Sequence, residues 1–280
     1  MPKILVTTPH SSFLIPSGIK DRFDLSPREI EMICDAGTYE AAELLQSADV
    51  QILSAEVSRL VVDLNRFPDD DRNIGIFREK TFRGKKIFID GENFTAEEKK
   101  YYKEKYYNPW HEKLLNALTG EPLYLHIDLH NTDETKPCLS AYTPGQPLRM
   151  EDFTDIDIAN RSFYKQPDQP IDAEGLTFPP EEIGFFRDSM EKHMSNFIEK
   201  HLNRDPKSIR ITTSSFMRGG PIIQIARNKA TWVDGIPRSL QLEVERKFFV
   251  DNLNNVDLNK IKGFSDALNG VLLDILNNLV

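Results

Sequence analysis

The chain has 280 residues, of which 39% are hydrophobic and 28% are charged, and its formal net charge is −9. This composition is typical of a globular protein and supplies enough apolar material for a sizeable core. The acidic balance argues against nonspecific nucleic-acid binding, because phosphate recognition needs a basic surface. The two cysteines, Cys34 and Cys138, form no CxxC pair and no disulfide framework.

The N-terminal half alternates between strand patterns and helix patterns. Apolar runs predict strands at residues 3–7, 50–57 and 59–64, and a helix is predicted at residues 26–46 with Ser26 as its N-cap. The chain enters its first strand at once and has no apolar run of membrane-spanning length. We therefore expect a cytoplasmic protein with no membrane partner.

The middle of the chain continues the same alternation. The capping-box pattern that begins at Thr95 predicts a long helix to about residue 118, which Pro109 would kink or split. Residues 123–129 predict a buried strand. Residues 131–180 are rich in Pro, Asp, Gly and Gln and predict a loop-rich insertion within a single catalytic domain at residues 1–280.

The C-terminal part has the same two kinds of element. The predicted helices cover residues 181–201 and 259–277, and the predicted strands cover residues 208–213, 222–226 and 240–244. Strands that alternate with helices favour an α/β fold with a central mixed, largely parallel sheet covered by helices.

Two histidines stand at the ends of strand-like runs. His10 follows the first predicted strand, and His130 follows the run at residues 123–129. Ligands gather at the carboxyl ends of strands in α/β sheets, and two imidazoles with one carboxylate would make a catalytic zinc site. Asp35 and Glu40 are the candidates for the carboxylate, with Asp35 preferred. The alternative for each histidine is a purely structural role at the end of a strand.

Glu243 lies on the predicted strand at residues 240–244. Strand alternation places it on one face with Gln241 and Glu245, while leucine and valine occupy the other face. A carboxylate near a metal site can act as a general base for water. The alternative is an exposed strand face without catalytic function.

Four further polar residues fit the same site. Arg66 presents a rigid fork of donors that suits a carboxylate, and Asn65 precedes it. Arg59 could polarise a scissile carbonyl or pair with Asp63. Arg227 is a second candidate for a substrate carboxylate. Each arginine alone has a surface charge or a structural ion pair as its alternative.

Several of these segments, in this order, resemble motifs of the N-formylglutamate amidohydrolase family, within the zinc carboxypeptidase and aspartoacylase-like superfamily. The matching segments are residues 9–16 (PHSSFLIP), 58–66 (SRLVVDLNR), 107–111 (YNPWH), 128–131 (DLHN) and 218–243, from RGG to QLE. Several spaced motifs in order are more specific than any one of them.

The resemblance implies a phosphorylase/hydrolase-like three-layer sandwich and the zinc-dependent cleavage of an N-acyl amide. By match to the family, His10 and His130 would be ligands of one zinc ion, and Glu243 would be the catalytic carboxylate. Arg66 would bind the carboxylate of the substrate, as the equivalent arginine does in the carboxypeptidases. Asp35 is the expected third ligand of the zinc ion.

The sequence therefore predicts a zinc amidohydrolase for N-formylglutamate or a related acidic N-acyl amino acid. Arg59 or Arg227 would stabilise the developing oxyanion in this reaction. Two alternatives remain open at this point. The first is a carboxypeptidase or peptide amidase of the same fold, and the second is a non-catalytic homologue that binds an acidic metabolite.

Overall fold

The computed structural model describes most of the chain, including both predicted histidine sites. The described residues are 3–45, 49–73, 75–81, 83–132, 155–159, 177–213 and 220–279. Most of the predicted insertion at residues 131–180 lies outside these ranges, as do Cys138 and Gly219.

Six strands form one sheet in the order β2-β1-β3-β6-β4-β5. The strands are β1 (Lys3–Thr8), β2 (Val50–Ser54), β3 (Leu123–Thr132), β4 (Ile156–Ala159), β5 (Ile211–Thr213) and β6 (Ser239–Glu245). Neighbouring strands are parallel except for the pair of β4 and β6, which is antiparallel. The predicted α/β fold with a mixed, largely parallel sheet is confirmed.

Eight α-helices cover this sheet within the described ranges. They are α1 (Ser17–Lys20), α2 (Pro27–Ile33), α3 (Thr38–Glu43), α4 (Ala96–Tyr102), α5 (Asn108–Thr119), α6 (Pro180–Leu202), α7 (Pro221–Lys229) and α8 (Leu258–Leu279). None of the helices in the described part of the chain is both long and apolar enough to cross a membrane.

The two faces of the central strands differ in polarity. One face is apolar and packs against α3, α6 and α8 in one core cluster, to which Val6, Ile127 and Leu242 belong. The opposite face is covered by α4, α5 and α7 in a second cluster. Towards the carboxyl ends of β1, β3 and β6, the second face carries buried polar side chains, which include Asp128, His130 and Glu243. The apolar face contributes only to the hydrophobic core, whereas the polar end of the second face is where a functional site can form.

The predicted helix at residues 26–46 is correct at its start but is two helices. Ser26 caps α2 in a capping box: its Oγ accepts a hydrogen bond from Glu29 N, and the Glu29 carboxylate accepts one from Ser26 N. The helix ends at Ile33, and α3 begins after Gly37, whose φ is 84°. Cys34 is extended and Gly37 is left-handed, so the α-helical path is interrupted between Ile33 and Thr38. The interruption turns Asp35 towards the sheet.

Two predicted strands are wrong. Residues 59–64 form turns, in which Val61 N and Val62 N both bond to Ser58 O. Their apolar side chains are buried because the segment packs inside the second core cluster. Residues 222–226 belong to α7, which has Gly220 as N-cap and proline at its first position. A short buried apolar run does not distinguish a strand from other buried backbone.

The long helix predicted from Thr95 contains a π-helical turn. Thr95 caps α4 with the predicted capping box, and the π-helical turn Lys103–Tyr107 joins α4 to α5. Within this turn Asn108 N bonds to Lys103 O, five residues back. The wider turn absorbs Pro109, which has no N–H to continue an α-helical ladder. The predicted interruption of the α-helix near Pro109 is thus present as a π-helical turn, and the helical path continues through it.

Candidate metal centre

Three buried side chains converge where β1 and β3 end. His130 Nδ1 lies 2.8 Å from Asp35 Oδ2 and 3.1 Å from His10 Nδ1. The third side of this triangle, from His10 Nδ1 to Asp35 Oδ2, is 3.5 Å. Among the described residues this is the one group of three or more histidine, cysteine or acidic side chains that is close enough to hold a metal ion. Glu40, the other candidate, is not in the group.

The triangle has the size that a tetrahedral zinc ion requires. With zinc–nitrogen and zinc–oxygen bonds of about 2.0–2.1 Å, tetrahedral geometry separates two ligand atoms by about 3.3 Å. The three sides of 2.8, 3.1 and 3.5 Å bracket this value. The donor set of two imidazoles and one carboxylate also suits zinc and leaves a fourth position open. The residues present therefore fit a zinc ion.

Both histidines are held by a carboxylate at the nitrogen that faces away from the triangle. His10 Nε2 lies 2.8 Å from Asp63 Oδ1, and His130 Nε2 lies 3.0 Å from Asp128 Oδ2. An ionised carboxylate only accepts hydrogen bonds, so each Nε2 is the donor and each Nδ1 can present a lone pair to the triangle. Carboxylate–histidine pairs of this kind orient metal ligands.

The electrostatics of the triangle favour a bound positive charge. Burial alone would raise the pKa of Asp35, but the hydrogen bonds and charges of His10 and His130 hold it below its ordinary value. Burial disfavours a charged His130, yet the carboxylates of Asp128 and Asp35 raise its pKa well above its ordinary value. In the absence of a metal, a proton on His130 supplies the charge that a cation would otherwise provide.

Asp63 is the most heavily hydrogen-bonded carboxylate of the site. Its Oδ2 accepts hydrogen bonds from Arg59 Nη2 at 3.0 Å and from Arg78 Nη2 at 2.7 Å. Burial by itself would raise the pKa of Asp63, but the charge of Arg59, followed by those of His10, Arg66 and Arg78, keeps it well below its usual range. Asp63 is therefore an ionised acceptor for His10.

Gly37 allows Asp35 to reach the triangle. Asp35 N donates to His10 O, and Asp35 O accepts hydrogen bonds from both the backbone N–H and the hydroxyl of Thr38. A Cβ added at Gly37 would lie 2.6 Å from Phe249 Cβ, and the φ of 84° is unfavourable for any other residue. The position requires glycine for both reasons.

Replacing Gly37 with alanine is expected to destabilise the fold by about 2–4 kcal/mol, through overpacking and backbone strain together. Urea unfolding of the metal-free protein measures this loss. Gly84→Ala is the matched control, because Gly84 has a φ of 82° and no atom within 4 Å of an added Cβ. Equal losses in the two variants would show that Phe249 tolerates the extra methyl group.

Glu243 lies beside the metal centre on the adjacent strand. Glu243 lies directly opposite His130 in the pairing of β3 and β6, so the two side chains share one face of the sheet. The side chain is buried, and its Oε1 accepts a hydrogen bond of 2.7 Å from Gln241 Nε2. Gln241 Oε1 in turn accepts one from Gly220 N. The exposed-face alternative for Glu243 is wrong.

Asn65 joins the metal centre to the start of α7. Its Nδ2 donates to Asp128 Oδ2 at 3.2 Å, and its Oδ1 accepts from Ile222 N at 3.3 Å. A Cβ added at Gly220 would lie 2.1 Å from Asn65 Oδ1. Gly220 thus permits the close approach of α7 to Asn65, and any larger residue would displace the amide.

The three candidate arginines differ in their surroundings. Arg59 is buried and reaches both Asp63 at 3.0 Å and Asp35 at 3.7 Å, so the predicted pairing with Asp63 is present. Arg66 is half-buried, and its Nη1 donates to Asn65 O. Arg227 lies on α7 and is also half-buried.

A row of side chains on the long helical segment holds the loop that carries Asn65 and Arg66. His111 Nε2 donates to Leu64 O at 3.0 Å, Tyr107 Oη donates to Arg66 O at 2.8 Å, and Lys103 Nζ donates to Pro68 O at 3.0 Å. We call Lys103, Tyr107 and His111 the carbonyl ladder. Burial lowers the pKa of His111 to about 4, so its ring is a neutral donor at pH 7.

Sequence reasoning singled out the three metal-site residues and Glu243 but missed several supporting residues. Asp63 stands within the motif at residues 58–66 and could have been assigned to His10. Arg78 and Thr7 carry no sequence signal, since their contacts to Asp63 and Asp128 join distant parts of the chain.

The fold and the site define an α/β protein with a buried candidate metal centre at the carboxyl ends of its parallel strands. A sequence profile of the N-formylglutamate amidohydrolase family matches residues 3–177, which is more than half of the chain. The chain belongs to the N-formylglutamate amidohydrolase family.

Individual relatives agree with this assignment. The chain is similar to an N-formylglutamate deformylase of Pseudomonas putida, with 27% identity over 121 residues. The match covers 41% of this chain and 45% of that protein, so the chain spans about half the length of this relative.

Two solved structures share the fold. An N-formylglutamate amidohydrolase from Ralstonia eutropha JMP134 superposes with a TM-score of 0.65 at 16% identity, over 98% of this chain and 93% of that chain. The gene product Atu2144 from Agrobacterium tumefaciens gives a TM-score of 0.60 at 14% identity, over 99% and 92% of the two chains. These similarities support the predicted three-layer sandwich.

Proposed function

We propose that this chain is a zinc-dependent amidohydrolase that removes the formyl group of N-formylglutamate or a closely related N-acyl acidic amino acid. The observation that carries the proposal is the triangle of His10, Asp35 and His130, with Glu243 on the neighbouring strand. The family supplies the substrate class. A zinc ion held by the triangle would supply Lewis acidity, which polarises the scissile carbonyl and makes water more acidic.

The residues around the triangle then have separate roles. Glu243 accepts a proton from the attacking water and returns it to the nitrogen of the leaving amine. Arg66 binds the carboxylate of the substrate, and Asn65 lies between Arg66 and the metal ligands. Arg227 is a second group for an acidic substrate. Arg59 or Arg227 stabilises the negative charge that develops on the carbonyl oxygen. Arg59 also forms ion pairs with Asp35 and Asp63.

The test is hydrolysis of N-formyl-L-glutamate by the purified protein with one equivalent of zinc. N-acetyl-L-glutamate, N-formyl-L-leucine and short peptides with a C-terminal glutamate complete the panel. N-formyl-L-glutamate is expected to have the highest kcat/KM. Preferential cleavage of the peptides would replace this proposal with a carboxypeptidase. No turnover by a zinc-loaded protein would favour a non-catalytic role.

Replacing Gly220 with alanine is expected to lower kcat/KM by about 10²-fold, because small misplacements of positioned groups cost that much in catalysis. The added methyl group would displace the Asn65 amide and, through Gly220 N, disturb the hydrogen bond to Gln241 that supports Glu243. Steady-state kinetics on N-formyl-L-glutamate measure the effect. Gly18→Ala is the control, since no atom lies within 4 Å of a Cβ there. Full activity of Gly220→Ala would contradict this arrangement.

A further inference from the structure

A chain of buried side chains runs across three strands beneath the metal centre. Ser239 Oγ lies 2.7 Å from His126 Nδ1, and His126 Nε2 lies 3.1 Å from Thr7 Oγ1. Thr7 Oγ1 donates to Asp128 Oδ1 at 2.6 Å, and Asp128 Oδ2 holds His130 Nε2 at 3.0 Å. Strand register explains the alignment, because Thr7 pairs with Asp128 across β1 and β3, and Ser239 pairs with His126 across β3 and β6.

The directions of three of the four hydrogen bonds in this row of side chains follow from one carboxylate. Asp128 Oδ1 faces the Thr7 hydroxyl, and its Oδ2 accepts from Asn65 Nδ2 and faces His130 Nε2, so the carboxylate is surrounded by donors and only accepts. Thr7 has a single hydroxyl proton and gives it to Asp128. Thr7 Oγ1 can therefore only accept from His126, which makes Nε2 of that ring the protonated nitrogen.

The remaining bond is settled by the charge of His126. Burial lowers the pKa of His126 to about 4, so the ring is neutral at pH 7 and its Nδ1 carries a lone pair. Ser239 Oγ then donates to that nitrogen. Each proton points from Ser239 towards Asp128, and the opposite oxygen of Asp128 receives Nε2–H of His130. Because His130 Nε2 donates to Asp128, only its Nδ1 can present a lone pair to the triangle.

We propose that Thr7, His126 and Ser239 are positioning residues that fix the tautomer and the ring orientation of His130, so that its Nδ1 binds the metal. The inference rests on the proposed metal site but not on the identity of the substrate. All three side chains are fully buried, with 0% exposure, and none belongs to the metal triangle. Apolar residues of similar shape would fill this layer without the cost of burying polar groups, which favours a functional reason for the row.

The test compares two substitutions at Thr7. Thr7→Val keeps the shape but removes both the donor to Asp128 and the acceptor for His126, whereas Thr7→Ser keeps the hydroxyl. The dissociation constant for zinc is measured by competition with a chromophoric chelator in the absence of substrate. Thr7→Val is expected to weaken zinc binding by about 10–100-fold, as loss of an outer-shell partner does, and Thr7→Ser to restore near wild-type affinity.

Spectroscopy separates positioning from general stability. Nitrogen-15 spectra of the histidine side chains of the zinc-loaded protein report which ring nitrogen carries a proton, and Nε2–H is expected for both His126 and His130. Ser239→Ala is the second variant if Thr7→Val does not fold; it is expected to weaken zinc binding relative to wild type, and wild-type zinc affinity in this variant would then overturn the inference. Wild-type zinc affinity in a folded Thr7→Val protein, or a protonated Nδ1 on His126, would overturn the inference.

The same measurements keep this inference distinct from the proposed reaction. If Thr7→Val weakens zinc binding as expected but the wild-type protein does not hydrolyse N-formyl-L-glutamate, the proposed function alone would be overturned. A protein that hydrolyses N-formyl-L-glutamate while Thr7→Val binds zinc as tightly as wild type would overturn the positioning role alone.

Discussion

Replacing Glu243 with glutamine is expected to lower kcat for N-formyl-L-glutamate by about 10²–10⁴-fold, the usual contribution of a general acid–base group. Glutamine keeps the size of the side chain and its hydrogen bond with Gln241, but it cannot accept and return a proton. Because Glu243 is not one of the three proposed ligands, the variant is expected to keep its zinc. Kinetics and metal analysis on the same sample separate these two effects.

Glu245→Gln is the matched control for this experiment. Glu245 lies two residues further along β6 on the same face and is also buried. Burial, followed by the hydrogen bond with Asp155, raises the pKa of Glu245, its carboxylate contacts Lys247, and it is not among the side chains of the metal triangle. We expect Glu245→Gln to retain most of the activity. Full activity in Glu243→Gln would refute the role of Glu243 as the general base.

Replacing Asp35 with asparagine is expected to abolish zinc binding at micromolar zinc, and with it the activity. Loss of an outer-shell partner costs about 10–100-fold in metal affinity, and loss of the anionic ligand itself costs more. The substitution also removes the negative charge that opposes a dication in a buried site. Zinc content after dialysis, together with the dissociation constant from chelator competition, measures the loss.

Glu40→Gln tests the other carboxylate that the sequence leaves open. Glu40 lies on α3, close to Asp35 in sequence, and is not among the side chains that meet at the triangle. The variant is expected to bind zinc as wild type does. If Glu40→Gln loses its zinc and Asp35→Asn keeps it, the assignment of the third ligand is wrong.

Local signals predicted much of the sheet and the starts of the helices. Capping boxes at Ser26 and Thr95 are formed within four residues, so the sequence alone determines them. The strands at residues 3–7, 123–129 and 240–244 are also correct, because each places apolar side chains on the face that packs against α3, α6 and α8.

The errors arise where the surroundings determine the backbone. Residues 59–64 are as apolar as a central strand, yet they form turns, because burial within the second core cluster requires apolar side chains whatever the backbone does. In α7, the proline after Gly220 was the helix-start signal that outweighed the apolar run at residues 222–226.

The three side chains of the candidate metal centre were predictable from the sequence, but the residues that support them were not. The two histidines, His10 and His130, stand at the ends of strand patterns, where ligands gather in α/β sheets. Asp35 is a short carboxylate two residues before Gly37. The partners of Asp63 include Arg59, four residues away, and Arg78, fifteen residues away through a loop. Thr7 contacts Asp128 over a sequence separation of 121 residues, which only the register of β1 and β3 creates.

The carbonyl ladder constrains the lengths of the helical segment and the loop that it joins. Its donors are spaced by four residues on the helical segment, and its acceptors Leu64, Arg66 and Pro68 are spaced by two. The donors and the acceptors run in opposite directions along the sequence, so every rung depends on the residue spacing in both segments. A point substitution removes one rung, whereas inserting or deleting a single residue puts all later rungs out of phase. We therefore expect both segments to tolerate exchange of residues and to resist any change in their number.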